Sequence, residues 1–161
     1  MAAQPRWLDA REDRAWRVYK HAQEQLDSRL RRQLLQDSGL SEAEFRILAM
    51  LSEHPTGRVP AGELCSSMGW EKSRLSHLTR RMQEQGLIAR EPNPTDARSS
   101  LIVLLALGRK TIEDAAPQHV QQVRQDFIDV FTPGELDLIG DLFERLLHHF
   151  AEEPDGALDE A

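Results

Sequence analysis

The chain has 161 residues, 40% of them apolar and 29% charged, with a formal net charge of −7. That length fits one domain or two small lobes sharing a core; no apolar run is long enough to span a bilayer, Met1 to Asp13 is too polar and charged for a secretory leader, and a lone Cys65 excludes an internal disulfide framework. The expectation is a soluble cytoplasmic protein with no membrane attachment.

In chain order, Leu8, Ala15, Tyr19, Ala22, Leu26, Leu30 and Leu34 recur near helical spacing and predict a helix from Trp7 to Gln36. It would be about 45 Å long if straight, and it ends toward Asp37-Ser38-Gly39. Ser41-Glu42-Ala43-Glu44 is a capping box opening a second helix with Phe45, Leu48 and Leu51 inward and His54-Pro55 as its stop. A third, short helix follows Pro60 and uses Leu64 and Met68.

The fourth, from Glu71 to Gln85, carries Leu75, Leu78 and Met82 on one stripe, at about 100° per residue. Ser73, His77 and Arg80 stand on the opposite face, with Lys72 at its start and Arg74, Ser76 and Arg81 on its flanks. Arginine is a bidentate donor to guanine and hydroxyls suit phosphates, so this face has the groups that reading duplex DNA requires. Most surface helices also bear a solvated charged face, and the helix alone does not decide.

Gly86 follows as a C′ residue. Leu87 to Glu91 and Leu101 to Leu105 are apolar, partly β-branched runs of strand length, and the segment between them, Pro92 to Ser100, is dense in turn formers. A hairpin tipped by Arg98, with Asp96 beside it, suits a neighbouring minor groove, where negative potential favours a guanidinium. The alternative is a plain surface hairpin in which Asp96 and Arg98 pair with little effect in water.

Beyond the hairpin, Ile112, Val120, Val123, Phe127 and Val130 predict a helix from Ala106 to Phe131, kinked at Pro117. Thr132-Pro133-Gly134-Glu135 is a second capping box, opening a last helix with Leu136, Ile139, Leu142, Phe143, Leu146 and Leu147. The fold expected is mainly α with a small β-hairpin wing. Residues 38–106 would form a winged helix-turn-helix, 1–37 and 107–151 a helical dimerisation lobe, and 152–161 an acidic, frayed tail.

Charge is unevenly distributed. Glu71 to Lys110 holds eight cations against four anions, a local balance of +4, which leaves −11 for the remainder. Local field rather than total charge attracts phosphate, so an acidic body with a basic edge favours one docking orientation.

Asp96-Ala97-Arg98, followed by Ile102, Leu104 and Gly108-Arg109, resembles the wing of the multiple-antibiotic-resistance regulator (MarR) family of dimeric bacterial repressors. Ser38 to Ser41, Gly69 to Ser76 and Gly86-Leu87-Ile88 also look like that family, and the resemblance covers about residues 7 to 151. Leu105 departs from it, standing where the family has a helix-capping threonine, an N-cap worth about 1 kcal/mol. The resemblance implies a homodimer with intertwined terminal helices, a pseudo-palindromic double-stranded DNA operator, and recognition helices in the major groove with wings in the minor groove. It also implies a small aromatic or phenolic effector bound between the first helix and the reader. Trp16, Tyr19, His21 and Arg46 are the candidates for that ligand, although an aromatic pair at i, i+3 is more often packing.

Cys65 beside apolar Leu64 reads as a buried structural thiol rather than the redox sensor of one family branch. His148 and His149 point to different helix faces, and the remaining histidines show no ligand spacing, so neither metal nor cofactor is expected. No nucleophile motif, phosphate loop or zinc-protease motif appears, so an enzyme is not expected. The competing reading is a winged-helix module that binds protein and not specific DNA.

Overall fold

Asp9 starts the first helix. Its carboxylate accepts the amides of Arg11 and Glu12 at 2.8 and 2.9 Å, and its own amide donates to the Glu12 carboxylate at 2.9 Å. In the computed structural model, which describes residues 6–96 and 99–152, α1 (Ala10–Ser38) therefore begins after Trp7 and Leu8. The capping box sets that boundary, and Trp7 stands 84% exposed outside it. Gly39, at φ 71°, closes the helix in the left-handed conformation that glycine adopts most readily.

The capping box at Ser41 and Glu44 forms as expected and opens α2 (Glu42–Glu53). Next comes β1 (Arg58–Pro60), which the sequence pattern does not reveal, then α3 (Ala61–Met68) and α4 (Lys72–Glu84). The wing is β2 (Ile88–Pro92) and β3 (Ser100–Leu104). Among the described residues the sheet has the antiparallel order β1-β3-β2, with Val59 and Arg90 both opposite Ile102. β1 is too short to show alternation; it exists because β3 offers it a partner edge.

The core of this part is continuous. Ile47, Leu48 and Leu51 of α2, Leu64 of α3, Leu75 and Met82 of α4, and Val59, Ile88 and Ile102 of the sheet are each at most 2% exposed. Burying each such side chain contributes about 1.5–3 kcal/mol, and together they fix where α4 and the wing sit.

α5 (Ala106–Asp126) starts directly after β3 although Leu105 cannot cap it through its side chain. The Leu105 carbonyl takes the Arg109 amide at 2.9 Å, and the Leu105 amide donates to the Leu87 carbonyl at 3.1 Å, so backbone bonds anchor the start. Gly108 allows the close approach: a Cβ there would lie 2.1 Å from the Leu87 carbonyl oxygen. α5 runs through Pro117 and stops at Asp126, short of the predicted Phe131; Ile128–Val130 forms a 3-10 turn instead.

The chain divides into two compact units, Met1–Gln122 and Val123–Ala161. In the second, Thr132 and Glu135 form their capping interaction, with the Thr132 amide and hydroxyl both donating to the Glu135 carboxylate at 2.8 Å, and α6 (Pro133–Glu152) follows. No residue of α6 is buried. Of the expected acidic tail only Glu152 lies within the described residues. Among the described residues no helix is long and apolar enough to cross a membrane.

Candidate nucleic-acid interface

Gly69, at φ 62°, turns the chain from α3 into α4, and the Trp70 amide closes the turn on the Cys65 carbonyl at 2.9 Å. α4 then buries Leu75, Thr79 and Met82, while Leu78 is only half-buried. Thr79 is tolerated in the core because its hydroxyl donates to the Leu75 carbonyl at 2.9 Å. The inward stripe is thus Leu75, Thr79 and Met82, and it leaves Lys72, Ser73, Arg74, His77, Arg80 and Arg81 exposed, with Ser76 half-buried.

These polar side chains are not equivalent. Arg74 lies over the Trp70 ring at 4.1 Å from its centroid, a cation–π contact back to the turn that precedes α4. Arg81 reaches back to α2: its Nη2 and Nε donate to Glu44 Oε1 at 2.9 and 3.2 Å. Lys72, Ser73, His77 and Arg80 have no side-chain partner among the described residues and face solvent. They are the uncommitted donors of the helix.

The wing stands beside them. Asn93 organises its turn by accepting the Thr95 amide and hydroxyl at 3.1 and 2.8 Å, and the Ser99 amide donates to the Asp96 carbonyl at 3.0 Å. Asp96 is exposed. Arg98 lies outside the described residues, and so does its expected pairing with Asp96.

Between α3, α4 and the wing runs a cleft of about 380 Å³ whose lining includes Cys65, Lys72, Ser76, Arg90, Ser99 and Ser100. Sequence pattern does not single out Arg90, Ser99 and Ser100, because which side of the hairpin faces α4 depends on strand register. Cys65 is half-buried on this cleft rather than enclosed in the core, because α3 turns only Leu64 and Met68 fully inward.

A second cavity, of about 220 Å³, lies between α1, α2 and α5, lined by Asp27, Leu30, Arg31, Leu34, Glu42, Phe45, Arg46 and His119. Phe45 and His119 pack with ring centroids 4.5 Å apart. Burial holds the His119 imidazole below the usual histidine range, against an opposing pull from Glu42. Of the four ligand candidates only Arg46 lines this cavity. Trp16 and Tyr19 pack on each other at 6.0 Å, Trp16 is 54% exposed under Lys20, and His21 is exposed, all on the stretch of α1 before Asp27. Helical spacing marks them as aromatic without showing which stretch of α1 meets α2 and α5. Among the described residues no group of three His, Cys, Asp or Glu side chains is arranged to hold a metal ion.

Helix, turn and helix followed by a β-hairpin define a winged helix-turn-helix protein. A MarR family model matches residues 38–99. AbsC, a MarR family transcriptional regulator of Streptomyces coelicolor, superposes with a TM-score of 0.88 at 33% identity, covering 92% of this chain and all of that one. Sco3205, a MarR family transcriptional regulator of the same organism solved in complex with DNA, gives 0.87 at 33% identity over 97% of both chains. The transcriptional repressor YetL of Bacillus subtilis is 29% identical over 111 residues, 67% of this chain and 66% of that protein. The chain spans just under two thirds of the curated relatives it matches. It belongs to the MarR family of transcriptional regulators.

Proposed function

We propose that the protein is a homodimeric repressor that binds a pseudo-palindromic double-stranded DNA operator in the cytoplasm and releases it in response to a small aromatic or phenolic effector. The observation that carries this reading is the outward face of α4, where Lys72, Ser73, His77 and Arg80 are exposed and uncommitted on a helix whose other face is locked into the core. Such a helix fits a major groove, with Arg80 and His77 at base edges and Lys72, Ser73 and Ser76 toward phosphates. Arg74, steered by Trp70, points its charge along the same edge. Arg98, with Asp96 orienting it, is assigned to the minor groove.

The second unit supports two-fold symmetry. Leu138, Leu142, Phe143, Leu146, Leu147 and Phe150 of α6 are 39–64% exposed, a run of apolar surface that a monomer in water does not leave open. A second copy is the assigned cover, because two readers on a two-fold axis match half-sites about one helical turn apart. YetL's description as a repressor and the DNA in the Sco3205 crystal support the reading of the chain as a DNA-binding repressor.

The effector is assigned to the cavity between α1, α2 and α5. Leu30, Leu34 and Phe45 offer an apolar floor, and Arg31 and Arg46 offer cations for a carboxylate or phenolate. Such a ligand releases DNA only if it binds the non-reading conformation more tightly.

The test is to select duplexes from a randomised pool with the purified protein and measure their binding by fluorescence anisotropy across a salt series, with and without a benzoate series. Selection of a palindromic duplex, with affinity falling steeply as salt rises, is the expected result. Failure to enrich any sequence leaves the winged helix as a protein-binding module.

A further inference from the structure

The sequence groups Arg81 with the DNA-facing cations of α4. The fold gives it another partner. Glu44 is 4% exposed, and its two carboxylate oxygens serve two elements: Oε2 accepts the Ser41 amide and hydroxyl at 2.8 and 2.6 Å, and Oε1 accepts Arg81 Nη2 and Nε at 2.9 and 3.2 Å. The same carboxylate therefore caps α2 and holds the C-terminal half of α4, across 37 residues of sequence.

We propose that Arg81 is a positioning residue: its bond to Glu44 sets the roll of the recognition helix, and it does not contact DNA. The proposal rests on α4 being the DNA-reading helix. The inward stripe of Leu75, Thr79 and Met82 holds α4 by nondirectional packing, which resists separation more than small rotation. A charge-assisted hydrogen bond is directional and supplies what that stripe lacks. A roll of about 20° moves a side-chain tip at about 5 Å from the axis by about 2 Å, enough to break a bidentate base contact. His77 and Arg80 ride on the same helix, so their aim depends on that roll. The carboxylate keeps its charge in this arrangement. Burial opposes ionisation, but the Ser41 hydroxyl and amide and then Arg81 outweigh it, and the Glu44 carboxyl sits below its ordinary value.

A direct phosphate contact and a positioning bond leave different traces. Losing a phosphate contact lowers the salt slope of binding by about one unit and weakens all DNA alike. Losing a positioning bond leaves the slope alone and lowers preference for the right sequence. The experiment measures Arg81→Met, Arg81→Lys, Glu44→Gln and the Arg81→Met/Glu44→Gln double variant in the full chain. Each is titrated by fluorescence anisotropy against a duplex selected by the wild-type protein and against the random pool, from low to high salt, with thermal melting of every variant alongside.

The expected result is that Arg81→Met and Glu44→Gln each reduce the preference for the selected duplex by about tenfold, that the double variant falls no further, that Arg81→Lys keeps part of the preference, and that all slopes match wild type. A slope reduced by about one unit in Arg81→Met, with Glu44→Gln behaving as wild type, makes Arg81 a phosphate ligand and overturns the proposal. Additive losses in the double variant overturn it as well. Should Glu44→Gln melt below the assay temperature, the slope and preference of Arg81→Met and Arg81→Lys decide between the same two outcomes. A wild-type protein that prefers no sequence overturns both the proposal and the DNA-reading role beneath it, whereas loss of the proposal alone leaves wild-type preference intact.

Discussion

α4 and α6 are both sharply two-faced helices, and they dispose of their apolar faces differently. α4 buries Leu75, Thr79 and Met82 at no more than 2% exposure against elements of its own unit. α6 carries Leu142, Phe143, Leu146, Leu147 and Phe150 within three turns and buries none of them. Amphipathic spacing says that a face will be covered, but what covers it depends on whether the same unit supplies a partner. The reader closes its core within its own unit, and the apolar face of α6 is the surface proposed above to meet a second copy.

That contrast is open to direct attack. The largest effect is expected from Leu142→Asp with Leu146→Asp, which removes two apolar anchors worth about 1.5–3 kcal/mol each on burial. Sedimentation at micromolar concentration should show a dimer for the parent and a monomer for the double variant. A parent that sediments as a monomer would mean α6 has some other cover, and the contrast with α4 would have to be redrawn. In the reader, Leu48→Ala at a fully buried position should cost about 2–5 kcal/mol, read as a lower urea midpoint. Unlike the α6 pair, it should leave the oligomeric state of the surviving folded protein unchanged.

A finer division lies within α4, between committed and uncommitted polar side chains. Arg80→Ala or His77→Ala should weaken binding to the selected duplex by about 1–3 kcal/mol and binding to random DNA much less. Arg98→Ala, by contrast, should weaken both and reduce the salt slope by about one unit. Equal losses on both duplexes for Arg80→Ala and Arg98→Ala would erase the assignment of base reading to the helix and charge to the wing.

What the sequence reveals here is what is local. The capping boxes at Ser41 and Thr132 and the left-handed Gly39 and Gly86 depend on residues within one turn, and all four form where local pattern places them. The exposed Ser73, His77 and Arg80 are legible for the same reason, since helical period alone places them opposite Leu75 and Met82. β1 is not legible, because its pairing partner Val103 lies far along the chain from Arg58. Nor is the bond between Arg81 and Glu44, which depends on how α2 crosses α4. The contact of Arg74 with Trp70 spans only four residues and is local in sequence. Which residues line the cavity is not legible either: which stretch of α1 meets α2 and α5 is a tertiary fact, and it places Asp27, Leu30, Arg31 and Leu34 there beside Arg46, with Trp16, Tyr19 and His21 elsewhere on α1.

The smallest expected effect concerns His119, which links α5 to α2 through Phe45. Burial, opposed by Glu42, lowers its folded pKa below the ordinary value of 6.5. Between that lowered value and 6.5 the unfolded chain binds more protons than the folded one, so stability rises with pH across the window and is fully present above it. As pH falls below 6.5 this contribution is lost, until the folded imidazole also takes its proton. The other charged groups on the cavity are Asp27, Arg31, Glu42 and Arg46. Glu44, with its lowered carboxyl, acts in the acid range below 4.5, so the two contributions separate. Urea unfolding at about pH 5.5 and about pH 7.5, on either side of the ordinary histidine value, should therefore show a less stable parent at the lower pH and a smaller difference in His119→Phe, which keeps the ring packing and removes the proton. Identical pH dependence in parent and variant would mean that His119 ionises as freely in the fold as in water, and that the α2–α5 contact does not depend on its charge.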